Sequence, residues 1–188
     1  YEISIDTVNK NEVIENDLSV KKAVDRYIQD LQASGYWVKL YKLSGVDHTD
    51  IKDIMVADSK SGLVGAVMIG DLPIAWYEND NDFKDKKAVF PIDLYFMDTD
   101  GDWGDADEDG KFDSHTGKIE PDVWVGRING DLPATGKSEG QIISEYLSRN
   151  HFFRTQNYNK FPQRLFSHNG SSPYYRSLAY HDDDWTAT

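Results

Sequence analysis

The sequence predicts an α/β protein, an open and mostly parallel sheet with helices on both faces. Strand-like and helix-like segments alternate along the chain, strand, helix, strand, helix, strand, then an insert, strand, helix and strand. Leu63 to Asp71 is apolar on both parities, as a strand covered on both faces must be. An acidic insert, residues 98–120, breaks the order without ending it. With 188 residues, 39% hydrophobic and 13% aromatic, the chain can bury a core, either as one domain over 1–188 or as the amino-terminal part of a larger one.

Each element follows from its pattern. Tyr1, Ile3 and Ile5 share one parity, so Tyr1 to Val8 reads as a short strand. In DLSVKKAVDRYIQDLQASGY, Val20, Ala23, Val24, Tyr27, Ile28 and Leu31 recur at spacings of three and four, an amphipathic helix that Asp17 or Ser19 caps and Gly35 ends. YWVKLYKL (36–43) reads as the second strand, His48 to Ser59 as a shorter helix, and Leu63 to Asp71 as the third strand. AVFPIDLYFMD (88–98) is an apolar run feeding the acidic loop, and VWVGRI (123–128) is the strand that leaves it. From Lys137 to Phe153 a helix presents Ile142, Ile143, Tyr146, Leu147 and Phe153, and RSLAYHDDDW (176–185) is a closing strand. In sheets of this kind ligands gather beyond the carboxyl ends of the strands. That rule directs attention to Gly70-Asp71, to the acidic loop and to Asp182, Asp183 and Asp184.

The formal net charge is −13, and both a nucleic-acid backbone and an anionic membrane would repel it. Eight acids and one Lys between Asp98 and Asp113 give that loop −7, leaving −6 for the rest of the chain. No window approaches the roughly 20 apolar residues of a spanning helix, and YEISIDTVNK lacks the layout of a signal peptide, so a mature or trimmed chain is expected. There is no Cys, which excludes disulfides, thiolate metal sites and a Cys nucleophile within these residues.

The acidic loop carries the clearest chemistry. Asp105-x-Asp107-x-Asp109-Gly110-x-x-Asp113 places oxygen ligands at positions 1, 3 and 5 of a calcium loop and a Gly at position 6 for the turn. The Lys111 carbonyl falls at position 7 and Asp113 at position 9. Position 12 is Thr116 where an EF-hand has a bidentate Glu, and helical flanks are missing, so the segment is an EF-like loop between strands. Asp98-x-Asp100-Gly101-Asp102-x-x-Asp105 repeats the idea more loosely and is read as a second site or as sharing Asp105 with the first. Carboxylates this crowded repel one another unless a divalent ion lies among them. Hard oxygen donors select calcium or magnesium, and the flexible crowd favours calcium. The competing reading is a solvated acidic loop, against which Trp103 and Phe112 are expected to act as local anchors. A structural calcium site points to an extracellular or cell-surface protein.

Other candidates carry less. His168-Asn169-Gly170, flanked by Ser167 and Ser171, reads as a polar turn because no nucleophile elbow accompanies it. His48, His115, His151 and His181 form no metal spacing. Asp182, Asp183 and Asp184 fit a second metal or polar site and a solvated turn equally. Asp71 and Asp93 as a glycosidase pair would need a geometry the sequence does not give. Both phosphate-binding glycine motifs, G-x-G-x-x-G and the Walker type, are missing, so no nucleotide cofactor is expected.

In order and spacing, GLVGAVMIGDLPIAWYE (62–78), FPIDLYFMDTDGDW (90–103), the D-x-D-x-D-G-x-x-D loop, PDVWVGRI (121–128) and AYHDDDW (179–185) resemble the gingipain-like cysteine peptidases of the caspase-like clan. The resemblance spans nearly the whole chain. It implies a caspase-like α/β fold with a calcium-loop insert, the chain being the amino-terminal part of the peptidase unit. It also implies polypeptide substrates and, as partner, the downstream part of the same peptidase. The family's His-Gly pair and catalytic Cys lie downstream of the VGRI segment. His168 precedes Asn and comes too early, and there is no Cys, so no catalytic residue is assigned here and the chain by itself is not expected to be active. A non-catalytic calcium-stabilised binding or adhesion module is the alternative.

Overall fold

The computed structural model describes residues 2–8, 18–82, 86–118, 120–131 and 135–155. Strand β1 (Glu2–Val8) leads to helix α1 (Leu18–Ala33), strand β2 (Trp37–Leu43), helix α2 (His48–Ser59) and strand β3 (Leu63–Gly70). Strands β4 (Trp76–Asp82) and β5 (Lys86–Pro91), a single turn α3 (Leu94–Met97) and the short strands β6 (Asp102–Gly104) and β7 (Ser114–Thr116) come next. Strand β8 (Trp124–Ile128) and helix α4 (Glu139–Thr155) complete the order. These elements belong to a unit spanning Tyr1–Phe153; of a second unit, Arg154–Thr188, only the last two residues of α4 are described.

The central sheet is wholly parallel, in the order β2-β1-β3-β8, with β4–β5 and β6–β7 as separate antiparallel ribbons. The protein is therefore mixed α/β, with a small parallel sheet and helices packed on each side. The two-parity apolar run of β3 explains why both faces are covered. Val67 and Ile69 pack with Val20, Ala23, Val24, Tyr27 and Leu31 of α1 and with Ile143 and Leu147 of α4. Ala66 and Met68 face the other way, against Ile51 and Met55 of α2 and Tyr95 and Phe96 of α3. Complete burial of side chains such as Ile51, Met55 or Phe96 contributes about 1.5–3 kcal/mol each. A bulge shifts the β1–β3 register, so that Ile3 pairs with Gly65 while Glu2 pairs with Leu63. Gly65 is then required: a Cβ there would collide with the indole of Trp124 on the neighbouring strand.

Local chemistry sets the element ends. Asp47 caps α2 by accepting from the backbone of Thr49 and Asp50, while Asp50 returns a bond to Asp47, a reciprocal capping box. The buried Asp58 late in α2 receives Lys39 Nζ at 2.7 Å and Tyr41 Oη at 2.8 Å, which fastens the helix to β2. Gly35, with φ +91°, ends α1. Ser19 lies inside α1, and Asp17, the other expected cap, lies outside the described residues.

Three expectations change. The apolar run 88–98 is divided between β5 and α3, with Val89 and Phe90 exposed, and the polar segment preceding it, WYENDND, forms the unexpected strand β4. On α4 the buried stripe is Gly140, Ile143 and Leu147, whereas Tyr146 and Phe153 are 45% and 47% exposed. The helix lies over the sheet along a narrower face than its apolar residues suggested. The expected strand 176–185 lies outside the described residues.

Candidate metal centre in the acidic insert

The insert leaves the core through α3 and returns through β8. Backbone bonds from Asp122 and Val123 to the Met97 carbonyl close its base. Within it the two halves fold differently.

The first half is knotted on Asp98, which is fully buried. Its Oδ1 accepts from the backbone of Gly101 at 2.8 Å and of Asp100 at 3.3 Å. Its Oδ2 accepts the Trp103 indole at 3.0 Å and lies 2.7 Å from His115 Nε2. Burial alone would raise the Asp98 pKa, but the bonds from His115, Gly101, Trp103 and Asp100 outweigh it and hold the carboxyl below its ordinary value. Gly101 has no room for a Cβ, which would meet the Asp98 carboxylate and the His115 ring. Asp98, Asp100 and Asp122 bring ligand atoms within 4.8 Å of one another. Lys52 Nζ, whose pKa burial lowers against the pull of Asp98, Asp122 and Asp100, donates to the Tyr95 and Asp98 carbonyls beside them. Asp122 Oδ2 also accepts from Thr99 at 2.7 Å. This group already has protein donors and an ammonium.

The second half is the tip of the β6–β7 ribbon. Asp105 Oδ1 accepts from the Asp109 backbone at 3.2 Å and its Oδ2 from Gly110 at 2.8 Å, folding positions 5 and 6 back over position 1. Gly110 has φ +86°, the turn for which a Gly was expected at position 6, and Glu108 is left-handed at φ 59°. Asp113 Oδ2 accepts from Ala106, drawing position 9 towards position 2. Asp107 and Asp109 come within 4.8 Å of a third carboxylate, that of Glu78 on β4. Burial raises the Asp107 pKa, and the charges of Asp109, Glu78 and Asp105 push it the same way. Asp109 is held low by Lys111, whose backbone N–H and Nζ both reach it.

The eight positions predicted to ligate a metal therefore separate. Asp107 and Asp109 converge in one group, Asp98 and Asp100 in the other. Asp105 and Asp113 bind the loop's own backbone, and Asp102 joins neither group among the described residues. Lys111 was placed by its carbonyl, and its ammonium proves to be the nearest cation to Asp109. Two members were missed, Glu78 and Asp122. The anchoring aromatics behave as expected: Tyr95 stacks on Phe112 at 4.6 Å, and Trp103 lies 5.7 Å from Phe112 and 4.3 Å from His115.

Elsewhere, Asp93 is held in an ion pair. Arg127 Nε reaches both its oxygens, at 2.8 and 3.0 Å, while the rest of the guanidinium binds the Leu72 and Pro73 carbonyls. His48 packs on Tyr95 and Phe112, His115 holds Asp98, and His151 pairs with Asp30, three separate settings. His168, His181 and Asp182 to Asp184 lie outside the described residues. No described helix is long and apolar enough to cross a membrane. Two groups of carboxylates could thus hold a metal ion, and comparison with protein-family models, with curated proteins and with solved structures finds no match to the chain.

Proposed function

We propose that this chain is the calcium-binding amino-terminal portion of a secreted gingipain-like cysteine endopeptidase, not catalytically competent by itself. The observation that carries the calcium half is the convergence of Asp107 and Asp109 on the buried Glu78 at the tip of a loop whose backbone already turns as a calcium loop does. All three are hard oxygen donors, with no His in the group, which fits calcium better than a transition metal. The peptidase half rests on the ordered motifs from GLVGAVMIGD to AYHDDDW, with which a parallel sheet carrying an insert before its VGRI strand is compatible.

Calcium in this role supplies charge neutralisation and shape. The base of the loop is closed by bonds from Asp122 and Val123 to Met97, between α3 and the start of β8, so an ordered tip stiffens the ground beside that strand end. In a complete enzyme a thiolate from downstream chain would attack the peptide carbonyl, with a His as acid and base. The residues here would shape the cleft.

The second reading, a non-catalytic calcium-stabilised adhesion module, is favoured by the absence of Cys from all 188 residues. The reading frame beyond Thr188 separates the two: a strand followed by His-Gly and then a strand followed by Cys supports the peptidase, and a stop codon supports the module. The calcium reading itself is tested by thermal unfolding in chelator and in millimolar calcium. The midpoint should rise with calcium for the parent and not for Asp107→Ala; equal shifts in both would refute it.

A further inference from the structure

We propose that Glu78, on strand β4 and outside the acidic loop in sequence, is the calcium ligand that completes the loop tip. It supplies the carboxylate that Thr116 cannot at position 12, and it ties ion binding to the β4–β5 hairpin. The inference rests on the reading of the tip as a calcium site.

Four observations converge. Glu78 is only 3% exposed, and while its Oε1 accepts Lys87 Nζ at 2.7 Å, its Oε2 is buried with no hydrogen-bond partner. A buried carboxylate oxygen without a donor is costly, and a cation relieves that cost. Its position is set by backbone: Glu78 N–H donates to the Phe112 carbonyl at 2.7 Å, and Phe112 N–H donates to the Trp76 carbonyl at 2.9 Å. Residue 78 therefore lies beside residues 109 to 113 whatever its side chain does. The ligand atoms of Glu78, Asp107 and Asp109 lie within 4.8 Å of one another, and two oxygens each about 2.4 Å from one calcium ion are at most about 4.8 Å apart. Finally, Lys111 Nζ contacts Asp109 Oδ2 and stands 3.8 Å from Glu78 Oε2, too far for a hydrogen bond. Its ammonium holds the place of the ion between the two carboxylates, and calcium displaces it.

A purely structural Glu78, present only to pair with Lys87, makes different predictions. Calcium is titrated calorimetrically into the chelator-stripped chain, using the parent, Glu78→Gln, Asp107→Ala and Lys111→Met, and hydrogen exchange is followed with and without calcium. Glu78→Gln should weaken binding at least about tenfold, as loss of a charged ligand does, and Lys111→Met should bind more tightly than the parent. Calcium should slow exchange in both 105–113 and 76–91 of the parent, and only in 105–113 of Glu78→Gln. Parent-like affinity in Glu78→Gln, with binding lost in Asp107→Ala, overturns the role of Glu78 and leaves the calcium loop standing. A parent that takes up no calcium overturns the loop reading itself. Should Glu78→Gln fail to fold, Lys111→Met decides: unchanged or weaker binding, with no calcium protection of 76–91 in the parent, overturns the proposal.

Discussion

The two halves of the acidic insert solve the same electrostatic problem in opposite ways. Around Asp98 the protein supplies its own donors, two backbone amides, an indole and an imidazole, with Lys52 beside the group as a built-in cation. At the tip, Asp107 and Asp109 meet Glu78, one of whose oxygens has no hydrogen-bond donor, and two lysine ammoniums hold part of the charge. Counting carboxylates does not separate these regions, since each offers three within ligand distance. Counting donors does. A carboxylate already saturated by the protein is a structural knot, and one left unsatisfied while buried is where an ion gains most.

The contrast can be broken first at the knot. Asp98→Ala strands the Trp103 indole and His115 and should cost about 3–5 kcal/mol in denaturant unfolding, to the same extent with and without calcium. A loss seen only in calcium would move the ion to this half. The tip should show the reverse dependence: at calcium a hundredfold above Kd the parent gains about 2.7 kcal/mol over its chelated form, a thermal shift of about 5–10 °C for a chain of this size. A cap outside the insert gives the scale, since Asp47→Ala should cost about 1 kcal/mol, read by the same unfolding curves.

Acid sharpens the same distinction. The folded-state pKa of Asp98 lies below that of an unfolded Asp, about 3.9, so its contribution is complete above that pH and is lost as pH falls through the lower folded value. In chelator, the stability difference between the parent and Asp98→Asn should therefore be constant above about pH 4 and shrink below it. A difference that widens on acidification would contradict the assignment of the His115, Gly101 and Trp103 bonds to the ionised carboxylate.

Much of this was legible in the residues, and the failures share one cause. The three-and-four spacing of Val20 to Leu31 and the two-parity run of β3 gave their elements because local period and burial agree there. The turn at Gly110 was legible because only a residue free of Cβ sits easily at φ +86°. WYENDND shows no apolar period, and it is a strand because the tip and β5 both bond to its backbone. Glu78 is hidden for the same reason. Its burial is decided by Phe112, thirty-four positions away, and a spacing rule sees only neighbours. At Asp98 the spacing shows acceptors alone, and the donors Trp103 and His115 that also bind it converge only in the fold. Tyr146 and Phe153 show the limit of periodicity on α4: the apolar arc is wider than the sheet face that covers it.

Asp107, Asp109 and Glu78 are proposed to hold one calcium ion at the loop tip. A crystal structure grown in millimolar calcium, with anomalous difference maps, tests it most directly. A peak is expected about 2.3–2.6 Å from oxygens of all three side chains, with Lys111 Nζ moved off Asp109. Those carboxylates splayed into solvent with no peak between them, or a peak only beside Asp98, would contradict it.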